Sequence, residues 1–525
     1  MQQPGETMHL NRTRYSIFTG IFLATVSLAV ILVPIWRAEQ IPALSSPNVT
    51  VNVPLNGKTS VTDMLLTTNF YSATEVPVGT TPPLGQKVGF LQQWSPSMVR
   101  LHMGFTDTPS SLPESTQGVW DFSSLDAAIS TLRANQISFY LNVRNAPPWM
   151  FDNQGQLRDP SFYEFSQYMV DLVNWYNKGG FTDENGIYHH SGHIGWVHAW
   201  EIWNEPNSGY EIPNVSNPSA TWMDPVTFAQ LYSIASNAMH AVDPTIITGG
   251  PAISADPNDI YLQFFIADVT APLDFLSFHF YAIGNQKTPD PAAFSEITGN
   301  FQHRLIYVRS VLDQTFPGKQ VPIWVDEVGY NEIARLPVDP RGTAPVGCAW
   351  LAATFAMAEY QHVSLFAQFP FLGNAQLGLI DIKSLQPYVP YWMYQLFASK
   401  FPSGTNLIPI SIPGSSGIVG LAAVAPDRQS LRLVLANTVV ANAKDVNGKG
   451  VSRVVRVNLI GVFDTRSAHV GTTATVWRFN AATNRAAMPA PKSLTVFAGT
   501  TGTATVQDTL AGYGVDVIEI PLAAQ

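Results

Sequence analysis

Trp200-Glu201-Ile202-Trp203-Asn204-Glu205-Pro206-Asn207 and Ile323-Trp324-Val325-Asp326-Glu327-Val328-Gly329-Tyr330 are the two stretches on which the reading of this chain turns. Each closes an apolar, strand-like run, and each places a glutamate at the C-terminal end of that run with tryptophan close by. A lone glutamate after a strand is ordinarily a surface or capping residue. Two such residues acquire another meaning if their strands belong to one parallel barrel, because barrel active sites gather at the C-terminal strand ends.

Working outward, eight strand-like runs can be placed: Leu65–Phe70, Met98–Met103, Ser138–Val143, Val197–Trp203, Thr245–Gly249, Phe275–Phe280, Val321–Val325 and Ser364–Phe369. Helical patterns separate them. Asp159-Pro160 and Asp224-Pro225 are helix-start signals, an N-cap carboxylate followed by proline at the first helical position. Gly179-Gly180 is a stop signal for the first of these helices, and the second runs to about His240. Ser123-Ser124 precedes a shorter helix through Arg133. This alternation predicts a (β/α)8 barrel over residues 61–400. A doubly wound open sheet is the rival, and it is weakened because no glycine-rich phosphate loop follows the first strand.

Beyond Lys400 the pattern changes. Pro402-Ser403-Gly404 and Pro413-Gly414-Ser415-Ser416 interrupt the chain, and short runs with period-two alternation follow. In Val455-Arg456-Val457-Asn458-Leu459 the apolar residues face one way and the polar ones the other. Leu431–Leu435, Thr473–Phe479, Leu494–Phe497 and Val515–Ile520 read similarly, so residues 401–525 are expected to form an all-β sandwich-like domain. The linker near Pro402–Gly414 carries Leu407, Ile408 and Ile410, which suggests a module docked on the barrel.

The N-terminus is distinct. Ile17–Trp36 carries no charge, with Arg12 and Arg14 before it and Arg37 after. Such a run is about as long as a bilayer core is thick. Residues 15–37 are therefore expected to be a transmembrane signal anchor, with cleavage as a signal peptide the alternative. Residues 1–14 would form a cytoplasmic arm by the positive-inside rule, and residues 38–60 a linker with room for one strand. The catalytic part would lie outside the cell, anchored to the membrane or secreted.

Composition narrows the function. With 46% hydrophobic residues and 13 Trp in 525 residues there is ample core material for two domains. A net charge of −10 argues against nucleic acid as a partner. The single cysteine, Cys348, excludes an internal disulfide and reads as a buried structural thiol. No cofactor motif is present and no metal is expected: the 11 His form neither a His-x-His on the first strand nor a helical His-Glu-x-x-His. Two carboxyl groups facing each other across the barrel mouth are what glycoside hydrolysis needs, one protonated to release the leaving oxygen and one ionised to meet the developing oxocarbenium ion.

At this point the chain resembles a family. Trp200–Asn207 looks like the Asn-Glu-Pro motif of clan A glycoside hydrolases, and most like family 39, the β-xylosidase and α-L-iduronidase relatives, over about residues 61–400. The resemblance implies a retaining O-glycosidase acting on an oligo- or polysaccharide, with Glu205 as acid/base and Glu327 as nucleophile. It implies that Asn204 bonds a sugar 2-hydroxyl and that Arg100, in Val99-Arg100-Leu101-His102, pairs with the nucleophile. His279-Phe280-Tyr281 resembles the clan's His-x-Tyr, whose tyrosine bonds the nucleophile. Asn145-Ala146-Pro147-Pro148-Trp149 resembles a family loop, making Trp149 a candidate sugar platform.

Two departures stand out: Asp326 replaces the usual Thr before the nucleophile, and Gln368-Phe369-Pro370-Phe371 replaces the Trp at the end of strand eight. Both touch the sugar-binding floor. Glu201, inside a strand, is expected to pair with an arginine in the barrel. The competing reading from another class is a catalytically inactive barrel that binds glycans at the cell surface.

Overall fold

A computed structural model describes residues 48–71, 84–94, 96, 98–103, 112–208, 222–332, 337–461, 469–498 and 503–523. The expected arm and anchor, residues 1–37, lie outside them. Among the described residues no helix is long and apolar enough to cross a membrane.

All eight strand-like runs form strands: Leu65–Phe70, Val99–Met103, Phe139–Val143, Ala199–Ile202, Ile247–Ile253, Phe275–Ile283, Ile323–Asn331 and Leu365–Gln368. They pair in parallel, in chain order, and close into a barrel. Strands buried on both faces are apolar almost throughout, which is why the runs read so plainly. Inside, Tyr140, Phe275 and Trp324 fill one end, the last two stacked at 3.6 Å. A helix follows each strand, and two follow the sixth.

Helix boundaries show how local chemistry acts. Asp224 caps Pro225–Val242, its carboxylate accepting from Val226 N and Thr227 N. Asp159 behaves differently. Its carboxylate accepts from Ser161 N and Glu164 N while Phe162 takes a left-handed φ of 58°, so the helix begins at Tyr163, three residues later than the Asp-Pro signal indicates. The helix ends at Asn177, and Gly179 and Gly180, with φ of 90° and 143°, lead into an inserted hairpin of Lys178–Thr182 with Tyr188–Ile194.

The second domain is all-β, one continuous 11-stranded sheet wrapped around its own core, and it draws on both sides of the barrel sequence. Asn48–Pro54 pairs in parallel with Arg453–Ile460, and Ser60–Val61 pairs with Asn406–Leu407. Asn48–Pro54 is thus a strand within the expected linker, Ser60–Val61 adds a second, and both belong to the accessory sheet. The reason is alternation: Val49, Val51 and Val53 are buried with Leu431, Leu433, Val457, Val506 and Ile518 in the core that the sheet encloses.

Part of the sheet's outer face packs on the barrel. Leu421, Ala423, Val434, Val515 and Val517 join the same core as Phe355 and Phe397 of helices Pro345–Tyr360 and Val389–Lys400. Polar ties reinforce the seam: Tyr360 Oη donates to Ile408 O at 2.9 Å, Trp392 Nε1 to Arg485 O at 2.8 Å, and Lys400 Nζ meets Glu519 at 2.7 Å. The module is docked. Cys348 is buried in the same helix layer, where burial pushes its thiol up to about 12.

Candidate active site

Arg100 is the hub. Alternation along Val99–Met103 turns Arg100 and His102 to the same side, and Arg100 is fully buried. Its Nε donates to Glu201 Oε2 at 2.7 Å, Nη1 to Glu327 Oε1 at 2.6 Å, and Nη2 to Asn204 Oδ1 at 2.8 Å. Nη1 also reaches Asn69 Oδ1 at 3.3 Å and His102 Nε2 at 2.9 Å. Burial, then the Arg100 charge, hold His102 well below the usual imidazole range, so His102 is neutral and its Nε2 accepts.

Burial opposes ionisation of Glu201, but the Arg100 charge together with hydrogen bonds from Asp326, Ser277 and Arg100 outweighs it, and Asn142 Nδ2 adds a bond at 2.9 Å. Asp326 is the contrary case. Its oxygens receive no hydrogen bond, and Arg100 Nη2 comes no nearer than 3.3 Å. Burial and the Glu201 charge push the Asp326 carboxyl well above the usual range. The protonated form of Asp326 is therefore favoured beside the Glu201 carboxylate.

Asp326 and Glu327 are adjacent, so strict alternation would turn one of them away. The register explains why both meet Arg100: Phe278 pairs with Val325, but His279 pairs with Glu327, leaving Asp326 as the extra residue of a bulge.

The opposite carboxyl sits on a turn. Trp203 and Glu205 take left-handed φ values of 72° and 47°, and Glu205 N is held by Ala252 O at 2.9 Å. Such backbone costs about 1–3 kcal/mol per residue and persists where surroundings fix it. The two residues of the His-x-Tyr strand end diverge to serve both carboxyls. His279 Nδ1 lies 2.8 Å from Glu205 Oε1 and 3.5 Å from Glu327 Oε2. Tyr281 Oη donates to Glu327 Oε2 at 2.6 Å, its phenol kept protonated by burial and by the Glu327 charge.

One oxygen of Glu205, one of Glu327 and a ring nitrogen of His279 lie within 4.8 Å of one another. Among the described residues this is the one set of three with metal-ligand spacing. Each Glu327 oxygen already accepts a hydrogen bond, one from Arg100 and one from Tyr281.

Glu205, Glu327, Asn204, Arg100, His279 and Tyr281 thus form one cluster. Trp149 is outside it by its described contacts: Nε1 donates to Glu114 O at 3.0 Å, and the Arg158 guanidinium covers the ring at 4.7 Å. Sequence reasoning passed over two members of the surround, His102 and Asn69. His102 is two residues from Arg100, a signal that was present. Asn69 also donates to Asp326 O at 2.9 Å, a link with no local signature. Phe369 lies edge-on to His102 at 5.9 Å, on the floor where the departure from Trp falls.

Comparison with known proteins gives a coherent picture. The profile of "Glycosyl hydrolases family 39" matches residues 92–369. A β-xylosidase of Geobacillus stearothermophilus is 28% identical over 170 residues, which is 30% of this chain and 30% of that protein. A β-xylosidase of Caldicellulosiruptor saccharolyticus is 21% identical over 403 residues, 71% of this chain and 74% of that protein. Among solved structures, an α-L-arabinofuranosidase of Thermotoga maritima shares the fold with a TM-score of 0.64 at 15% identity, covering 90% of this chain and 100% of its own.

Proposed function

This chain belongs to family 39 of the glycosyl hydrolases, and from that premise we propose that it is a retaining glycosidase that cleaves O-glycosidic bonds of oligo- or polysaccharides. One observation carries the stereochemistry. Retaining enzymes hold their carboxyl groups about 5–5.5 Å apart and inverting enzymes about 6.5–9.5 Å. One oxygen of Glu205 lies within 4.8 Å of one of Glu327, an approach that supports the shorter, retaining spacing.

In the first step Glu327 attacks the anomeric carbon while Glu205 gives its proton to the leaving oxygen. A glycosyl ester forms and the alcohol departs. In the second step Glu205 takes a proton from water, the water oxygen attacks the same carbon, and Glu327 leaves as carboxylate. Two inversions retain the configuration. Arg100 and Tyr281 bind the nucleophile's two oxygens, and His279 orients the acid/base. Asn204, with Oδ1 tied to Arg100, presents its amide nitrogen as the donor end for a sugar 2-hydroxyl, and Trp149 supplies apolar surface for a more distant sugar ring.

The names of the curated relatives put xylosides first among substrates, with arabinosides and glucosides next to be tried. Neither the family nor the relatives favour an inactive glycan-binding barrel. We place the barrel outside the cell on an anchor at residues 15–37. A mature soluble product starting between Ala38 and Val49 would leave a secreted enzyme instead.

The test uses two variants on an activated aryl glycoside, with and without azide. Glu205→Ala should keep the first step, slow the second by roughly 10²–10⁴-fold, and form a glycosyl azide of retained configuration. Glu327→Ala should lose turnover, with azide giving the inverted product. Exchanged outcomes would reverse the two roles. Wild-type turnover in either variant would put the active site elsewhere.

A further inference from the structure

On the side of the sandwich away from its core, strands Asn48–Pro54, Arg453–Ile460, Thr503–Leu510 and Lys492–Ala498 present a polar face with one large ring on it. Registration sets the rows. Asn52 pairs with Asn458, Asn458 with Thr505, and Thr505 with Phe497, so these four form one line across the sheet. Arg456 pairs with Gln507 in the adjacent line. The inward residues of the same strands, Val455, Val457, Ala504, Val506 and Val496, are buried, which fixes the others outward. A shallow cleft of about 630 Å³ runs over this face, lined by Arg456, Asn458, Phe497, Thr505 and Gln507 and, next in sequence, by Asp508 and Thr509. That volume lies in the range of small-ligand sites.

Phe497 is 59% exposed, and no described aromatic ring packs against it. The guanidinium of Arg456 and the amide of Gln507 make no hydrogen bond or ion pair among the described residues. The Asn458 amide, by contrast, is fixed: it donates to Asn52 Oδ1 at 3.0 Å and accepts from Thr505 at 3.4 Å. The nearby carboxylate of Asp508 is held by Arg478 at 2.6 Å, which leaves the cleft without a free acid.

We propose that this face is a second carbohydrate-binding site, separate from the barrel mouth, with Phe497 stacking on the apolar face of a sugar ring and Arg456 and Gln507 bonding the hydroxyls of the next. The chemistry selects the occupant. A protein partner needs a cluster of apolar and aromatic residues at the centre of the contact, and here one ring stands among amides and hydroxyls. Nucleic acid needs several cations, and Arg456 is the single one lining the cleft. A glycan offers flat C–H faces and hydroxyl edges together, which matches one ring flanked by planar donors. Phe497 and Arg456 lie on strands two inter-strand gaps apart, about 10 Å, a span that a disaccharide covers. The function would be to keep a polymeric substrate near the barrel after each cleavage.

The inference rests on the proposed glycosidase activity only for its choice of ligand, and the test separates the two. The full chain is incubated with insoluble xylan, cellulose, mannan and chitin, its active site blocked by a mechanism-based glycosyl fluoride, and the bound fraction is measured. Aryl glycoside turnover is measured on unblocked protein. Wild type should bind at least one polymer. Phe497→Ala should weaken that binding at least tenfold, Arg456→Ala and Gln507→Ala should weaken it severalfold, and all three should keep wild-type aryl glycoside turnover. Turnover without retention on any polymer, or retention unchanged in Phe497→Ala and Arg456→Ala, overturns the second site and leaves the glycosidase reading standing. Retention lost in Phe497→Ala with no turnover on any glycoside would keep the site and overturn the activity.

Discussion

Glu359 provides a prediction whose size follows from the structure. It lies on helix Pro345–Tyr360 beneath the docked sheet, 1% exposed, and accepts a hydrogen bond from Thr62 Oγ1. No cation pairs with it among the described residues, and burial pushes its carboxyl from the ordinary 4.5 up to about 8, with the Thr62 bond only partly opposing the shift. The folded chain therefore keeps a proton that the unfolded chain has released. Stability from this group is full below pH 4.5 and falls as pH rises toward 8, at about 1.4 kcal/mol per pH unit, which totals about 5 kcal/mol at most. Glu359→Gln keeps the shape and the acceptor for Thr62 but cannot ionise. Urea midpoints of both proteins between pH 4.5 and 9 isolate the effect, because the other groups cancel in the difference. The variant should match wild type near pH 4.5, gain steadily between pH 5 and 8, and level off above that. Parallel curves, or a variant less stable at pH 8, would show that Glu359 is already ionised in the folded protein.

Three further outcomes are expected. Arg100→Met leaves Glu201 and Glu327 buried without their cation, so stability should fall by about 3–5 kcal/mol; an unchanged urea midpoint would refute the hub. Asp326→Asn keeps the shape of a protonated carboxyl and should leave the pH dependence of kcat/KM within a few tenths of a unit of wild type, whereas a displaced acid limb would mean that Asp326 is ionised at working pH. A fragment ending at Lys400 loses both the sandwich and the partner strand of Asn48–Pro54 and exposes the face packed on Leu421, Val434 and Val517, so it should aggregate or unfold on expression; a soluble fragment with full activity would refute the docking.

The barrel strands were legible because each is buried on both faces, so an apolar run is their whole signature. The sandwich strands were legible by alternation, as in Val455–Leu459, where every second residue is buried. What stayed hidden depends on pairing across the chain. Nothing local in Asn48–Pro54 says that it joins a strand some four hundred residues away, and the same holds for Asn69 and its bond to Asp326 O. The bulge at Asp326 is hidden in another way. The sequence predicts two neighbouring acids on opposite faces, and only the register with Phe278 and His279 shows that both reach Arg100. The left-handed turn at Glu205 likewise depends on Ala252, which the sequence does not mark.

Charge counting joins these hidden features to the proposed chemistry. Arg100 faces three buried carboxyls, Glu201, Asp326 and Glu327. If all three were ionised, two unbalanced charges would sit in a nearly water-free barrel, at a cost of several kcal/mol each. The bulge brings Asp326 against Glu201, where it holds a proton, and the surplus falls to one negative charge. Glu201 lies deeper and is bonded by Arg100 and Asn142, so the carboxylate left to meet substrate is Glu327. In the proposed mechanism that single charge meets the anomeric centre as positive charge develops there. In the proposed second step Glu327 is glycosylated and the negative charge beside Glu205 is gone, so Glu205 gives up its proton more readily, stands ionised, and can serve as the base toward water. A Thr before the nucleophile would reach the same count without a shared proton. The departure at Asp326 therefore leaves the charge of the site unchanged when its carboxyl is protonated.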